Sequence, residues 1–532
     1  MIQAGRAGNR RRPRWHGGGR AAVLATLTAG SLVLAACGSG DDQAETTAEI
    51  TTLRIDVLSE PSTLDPLSLN DTPAQRVYRM VYDSLYDWNE QTTEVEPQLA
   101  AQLPEVSDDG LTYTVSLRDD VTWHGGEAFT ADDVIFTFEQ VRNTDNASVW
   151  ASAVSAVAEV AKTDDQTVAF TLKNPYTYFP EKLAMVPIVS AAAGYQPNDN
   201  LSREMVGTGP FSFESWQAGE KIRLVRNETY YGDAPALEAV EFHVVPEDTT
   251  RVANLRNGTS HIAPELAPAL LDLVRDSGQQ AEIATGNVTR VYLYPNMQAG
   301  RPTADAEVRQ AIAWAVDRKA IIDTVYDGAA RSASTYLSYG SRYHDEELGN
   351  FYGDGADTAQ AQGHLDDATT APTEPLNFVV NNLPALVDAA AIIQSSLAKV
   401  GIEVEIEPME FGAMVPRLLD QEYDLLLTTA PVSVTAGFAP DYPAIGLHST
   451  SVPNWNRFSD PTMDELLTTA QQTPAGDASA AAWRAVQEYD LVTLGQIQLV
   501  SAQYTEGFSK DLTNYTPSNL AWLHNVPEIG LG

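Results

Sequence analysis

Residues 107–141 read SDDGLTYTVSLRDDVTWHGGEAFTADDVIFTFEQV. In Leu111–Leu117 the apolar Leu111, Tyr113, Val115 and Leu117 alternate with Thr112, Thr114 and Ser116, the period of two that sets one face of a strand against a core. Asp108, Asp109 and Gly110 supply a turn before it, while Arg118–Asp120 and Gly125–Gly126 bracket a second short strand, Val121–His124. Thr130-Ala-Asp-Asp then offers a threonine N-cap and acids in the first helical turn, with Val134, Ile135, Phe138 and Val141 along one face. The stretch is predicted to be a hairpin followed by a capped helix.

Further segments follow outward from it: Glu60-Pro-Ser-Thr-Leu-Asp-Pro66, VYDSLYDWNEQTTEVEPQLA at 81–100, Gly207-Thr-Gly-Pro-Phe211 and LVRNETYY at 224–231. After these come RVANLRNG at 251–258, VRQAIAWAVDRKAII at 308–322 and NWNRFSDPTMDELL at 454–467. Together with 107–141, these segments resemble, in order, the landmarks of the family 5 extracytoplasmic solute-binding proteins, the peptide, dipeptide and nickel receptors of ABC importers. The resemblance covers nearly all of the chain after residue 50. It implies an α/β fold of the periplasmic-binding-protein type II kind, with two hinged lobes and an accessory α+β domain. Lobe I is expected at 51–66 with 190–285 and 500–532, the accessory domain at 67–189 and lobe II at 286–499.

Local patterns add elements. Ala74–Tyr86 is predicted as a helix, and Thr167–Leu172 and Phe211–Glu214 as strands, the last fed by the glycine-rich turn at 207–210. Asp305–Tyr326 is predicted as the best helix of the protein, with Asp305 and Glu307 in its first turn and Gly328 as its stop. Leu376–Val380, Leu383–Val400 and Ile402–Glu407 form a strand, helix, strand unit, most simply parallel. Glu403, Glu405 and Glu407 alternate with Ile402, Val404 and Ile406, so that last strand is expected to have one face exposed. Asp424–Leu427 is the better candidate for a central strand. Leu499–Tyr504 is expected to return the chain toward lobe I.

The chain has 532 residues, too many for one core. Residues 1–36 hold six arginines and no acid, then the apolar run Ala21–Ala36 and Leu34-Ala-Ala-Cys37. This is the layout of an export signal. Leu-Ala-Ala-Cys resembles a bacterial lipobox, which implies cleavage before Cys37, acylation of its thiol and a lipid anchor on the outer face of the cell membrane. Residues 37–50 would be a flexible tether. Cys37 is the only cysteine, which excludes a disulfide framework and a cysteine-based metal or catalytic site. Removing residues 1–36 leaves 27 basic against 72 acidic side chains, a formal balance of −45. Such a charge repels phosphate backbones and argues against nucleic-acid binding.

In open α/β sheets ligands lie beyond the carboxyl ends of strands, which points to the segment after Leu427. In the peptide-binding branch of the resembled family, an aspartate in a DYPDP-like stretch receives the ligand's ammonium, and Asp441-Tyr442-Pro443 stands at the matching place. Ala444 departs from that pattern. Asp441, Tyr442, Trp455 and Asn296 are the expected ligand-binding residues, with Cys37 for lipidation and no metal or cofactor. The eight histidines show no H-E-x-x-H, and there is no G-x-S-x-G elbow, P-loop or G-x-G-x-x-G. His124 is assigned to a structural turn. The expectation is a monomeric receptor, not an enzyme, that passes a small solute, foremost a peptide, to a permease driven by separate ATPase subunits. An extracellular hydrolase, whose carboxylate pair would meet only in the fold, and a receptor with a sensing role stay open as alternatives.

Overall fold

The computed structural model describes residues 51–61, 63–68, 72–89, 94–195, 205–283, 289–337, 339, 342–431, 447–450, 454–474, 476–518 and 528–531. Cys37, Asp441 and Tyr442 lie outside them.

Lobe I is built on a seven-stranded sheet in the order Gln280–Ile283, Thr505–Phe508, Ile262–Pro264, Thr52–Val57, Ala239–Val244, Lys221–Arg226, Phe211–Gln217. Thr52–Val57 runs parallel to both of its neighbours. Lobe II is built on a six-stranded sheet in the order Ala330–Ser332, Ile497–Ala502, Thr289–Pro295, Leu425–Pro431, Leu376–Asn381, Val404–Met409. The strand, helix, strand unit is parallel, from Leu376↔Val404 to Asn381↔Met409. Its second strand is the sheet edge, with Glu405 and Glu407 exposed, which explains the alternating glutamates. Leu425–Pro431 is central and buries Leu425, Leu426 and Leu427 completely.

The stretch 107–141 supplies Thr112–Ser116 to a four-stranded antiparallel sheet, beside Glu105–Val106 and Thr167–Leu172, with Val157–Asp164 beyond. The helix Ala131–Arg142 covers one face with Val134, Phe138 and Val141. At its start the Asp133 carboxylate accepts the Thr130 amide at 3.0 Å and the Ala191 amide at 2.9 Å, and the Asp133 amide donates back to the Thr130 carbonyl at 3.1 Å. Val121–His124 is not a strand; the amide of Trp123 bonds the Glu127 carbonyl in a turn, with one bridge from Thr122 to Ala128. This unit and lobe I share one continuous apolar core.

Two predicted helices are shorter than their sequence patterns. The first runs only over Thr72–Tyr78. Beyond it the carbonyls of Met80, Val81 and Asp83 accept the amides of Phe211, Gly209 and Ile188, so they are withdrawn from any helical ladder. The span Asp305–Tyr326 is two helices, Ala306–Ala315 and Arg318–Val325. Val316 is extended between them, and Asp317 caps the second by accepting the Ala320 amide at 3.0 Å. The break lets the buried Arg318 guanidinium reach the carbonyls of Ala313, Ala333 and Gln498.

Candidate ligand-binding site

The chain passes between the lobes twice. It leaves lobe I after Ile283 and enters lobe II at Thr289; it leaves lobe II after Ala502 and re-enters lobe I at Thr505. What reads in sequence as one strand, Leu499–Tyr504, is thus the end of the lobe II strand Ile497–Ala502 followed by the connection Gln503–Tyr504, and the lobe I strand begins only at Thr505. Register identifies the facing ends. Thr289 pairs with Ala502 and with Pro431, and Ala330 pairs with Ala502, so these four mark the crossing end of lobe II. In lobe I, Pro264 pairs with Glu506, so the carboxyl ends of Ile262–Pro264 and its parallel neighbour Thr52–Val57 meet the returning chain. The carboxyl ends of Thr52–Val57 and Ile262–Pro264 in lobe I and of Leu425–Pro431 in lobe II therefore lie at the crossings, where the rule for α/β sheets puts a ligand.

On the lobe I side Glu60–Pro66 leaves the end of Thr52–Val57. The Glu60 carboxylate accepts the Trp216 indole and the Gly219 amide, each at 2.9 Å. Asp65 is buried and accepts the Leu67 amide at 2.9 Å and the Tyr195 hydroxyl at 2.6 Å. These bonds fix the turn's backbone at the mouth. Tyr504, in the second crossing, is held by a buried relay. Arg76 donates to its hydroxyl at 2.7 Å and pairs with Glu265 at 3.2 Å. The Tyr504 hydroxyl donates to Glu506 at 3.2 Å, and Tyr515 donates to the same carboxylate. Burial pushes Glu506 up to about 7, against the opposing influence of Tyr515 and Arg76.

On the lobe II side the strand Thr289–Pro295 turns Val291 and Leu293 into the core, while Arg290, Tyr292 and Tyr294 share the other face. The Arg290 guanidinium stands 5.3 Å from the Tyr292 ring centre, Tyr292 and Tyr294 meet edge-on at 5.0 Å, and Trp455 continues the row 6.2 Å from Tyr294. The row runs from the crossing end toward the far end of the lobe. Sequence reasoning missed Arg290, Tyr292, Arg76 and Glu506. The alternation in TRVYLYP was the available signal for the first two; nothing local marks the others.

The expected site residues separate. Trp455 packs half-buried against Tyr294 and the cluster of Leu418, Tyr423 and Leu426, and its carbonyl accepts from Gln421 and Tyr423. Asn296 lies past Pro295, at the end of the strand away from the crossing. It is wholly buried, donates to the Gln421 and Tyr423 carbonyls at 3.3 and 2.8 Å and accepts the Gln298 amide at 3.0 Å. Its amide group is occupied in tying lobe II together. His124 is structural, as assigned: one ring nitrogen lies 3.0 Å from the Gly209 carbonyl, and the other accepts the Gly207 amide at 3.3 Å. Burial holds its pKa below the usual histidine value.

This architecture can be set beside known proteins. The family model described as "Bacterial extracellular solute-binding proteins, family 5 Middle" matches residues 94–451. The chain belongs to that family. Protein XP55 of Streptomyces lividans is 30% identical over 493 residues, covering 88% of this chain and 86% of its own. The dipeptide-binding protein of Escherichia coli is 30% identical over 380 residues, covering 65% and 69%. Among solved structures, the oligopeptide-binding protein AppA from Bacillus subtilis, in complex with a nonapeptide, aligns with a TM-score of 0.74 at 21% identity over 91% of this chain and 99% of that one. The fold is that of the family 5, type II periplasmic binding proteins.

Proposed function

We propose that this family 5 protein is a lipid-anchored, extracytoplasmic receptor of an ABC importer, without enzymatic activity, that captures an oligopeptide or dipeptide between its lobes and delivers it to a permease. The division into lobe I at 51–66, 190–285 and 500–532, an accessory domain at 67–189 and lobe II at 286–499 belongs to the same reading, as does acylation at Cys37 and a monomeric state. One observation supports the peptide assignment: the central strand Leu425–Pro431 ends at the crossing end of lobe II, and Asp441-Tyr442-Pro443 follows it in the sequence. A carboxylate there can bond a ligand ammonium, and exclusion of water strengthens such a charge-assisted bond. The names of the Escherichia coli and Bacillus subtilis relatives support a peptide as the ligand. Capture works by differential affinity: a ligand that touches both lobes favours the closed state over the open one.

Titration calorimetry with trialanine and N-acetyl-trialanine tests the anchor. Asp441→Ala is expected to weaken trialanine binding at least tenfold, and acetylation to weaken wild-type binding similarly. Equal affinity in both comparisons removes the ammonium anchor. For the lipid, intact mass of the membrane-extracted protein should give residues 37–532 with an acylated Cys37; an unmodified soluble chain refutes it.

A further inference from the structure

The lobes are joined a third time, without a covalent link. Tyr178, just before the short helix Phe179–Leu183, is wholly buried in an apolar cluster with Leu447, Phe458, Met463, Leu467 and Trp483 of lobe II. Its hydroxyl lies 2.6 Å from Ser479 Oγ and accepts the Trp483 indole N–H at 2.7 Å, and the two rings meet edge-on at 5.9 Å. Beside this plug the Thr177 amide donates to the Gln471 carbonyl at 3.2 Å, and Arg342 of lobe II pairs with the buried Glu181 at 3.0 Å. The segment carrying Tyr178 is itself welded to lobe I. Phe179 and Leu183 belong to the core shared with Leu53 and Ile55, and Asp83 accepts from Thr208 and Tyr231 at 2.9 and 3.0 Å.

A chain that passes between the lobes twice leaves them free to rotate about the two connections, and a third attachment, at Tyr178, fixes the angle. Lobe II cannot turn away while Tyr178 stays seated, and unseating it separates two buried rings, two hydrogen bonds and a buried ion pair. We propose that the Tyr178 plug is a latch that fixes the closed angle of the lobes, making Tyr178, Ser479, Trp483, Glu181 and Arg342 positioning residues for capture that act through the lobe angle. This rests on the closure proposed above.

Small-angle scattering of the ligand-free chain tests it without any assumption about the ligand. Tyr178→Phe keeps the ring and removes both hydrogen bonds; with Arg342→Gln it should shift the open-to-closed ratio roughly tenfold, raise the radius of gyration and weaken trialanine binding about tenfold, with little change in Tm. A second variant, Thr177→Cys with Gln471→Cys, places thiols at a backbone contact; Cys37 is the one native cysteine and its sulfur is acylated in the proposed lipoprotein, so the new pair can be counted by thiol titration. Oxidation should lower the radius of gyration of the ligand-free chain, and reductant should restore it. The same radius in oxidised and reduced forms and in Tyr178→Phe, with only a lower Tm, makes the contact a permanent bridge and overturns the latch. Loss of trialanine binding in every form, with the scattering shifts intact, counts against the peptide reading and leaves the latch standing.

Discussion

Asp490 is wholly buried on the helix Asp477–Thr493, and desolvation pushes its carboxyl up to about 8 despite the opposing pull of Arg290 and the Gly495 amide. The folded value lies above the ordinary 3.8, so between roughly pH 4 and 8 the folded chain keeps a proton that the unfolded chain has released. Stability from this group is complete at low pH and lost as pH climbs through its folded value, with a slope of about 1.4 kcal/mol per pH unit for one proton. Asp83 and Glu506, each raised to about 7 by burial, act in the same direction. Asp490→Asn is expected to flatten the fall in unfolding free energy between pH 5 and 8 by on the order of one proton's slope, measured by urea titration. Slopes identical to wild type would mean the carboxyl is ionised in the fold. None of the three is foreseeable from the sequence, where each is one of 72 acids in a chain whose acidity reads as a solvated surface; burial of a single carboxyl is a tertiary fact.

The turn at Gly207–Pro210 shows how an element can be legible while its reason is not. The sequence suggests that its glycines serve a strained turn, yet neither Gly207 nor Gly209 has a positive φ. They are glycines because the backbone passes against another segment: a Cβ on Gly207 would collide with the Val81 carbonyl, and one on Gly209 would stand 2.7 Å from that of Met80. The same turn is clasped by His124, so the motifs TWHGG and GTGPF, far apart in sequence, form one contact. Gly207→Ala is expected to cost more than about 2 kcal/mol, read as a lower denaturant midpoint with unchanged m-value; a midpoint like that of wild type would show that the neighbouring backbone gives way. Strand positions were readable from alternation at Thr112–Ser116 and from an apolar run beside a helical pattern at Leu376–Val380. Helix ends were less so: the early stop at Tyr78 depends on amides more than 100 residues away, and the break at Val316–Asp317 went unread inside an apparently continuous helical face.

At the scale of the molecule, the order of landmarks along the chain was enough to read two lobes and a third unit. The ligand-facing surface was less legible, because it is assembled from strand ends whose register only pairing reveals. Saturating trialanine is expected to reduce the radius of gyration of the wild-type protein in solution scattering; an unchanged radius at saturation would argue that capture proceeds without closure. The sheet order of lobe I carries one more consequence. Thr505–Phe508 sits inside that sheet, between Ile262–Pro264 and Gln280–Ile283. A ribosome that has made the first 480 residues has therefore supplied every strand of that seven-stranded sheet except the one that joins Gln280–Ile283 to the rest. Until synthesis has almost finished, the lobe I sheet holds an unfilled slot, so its native pairing closes only with the last residues of the chain.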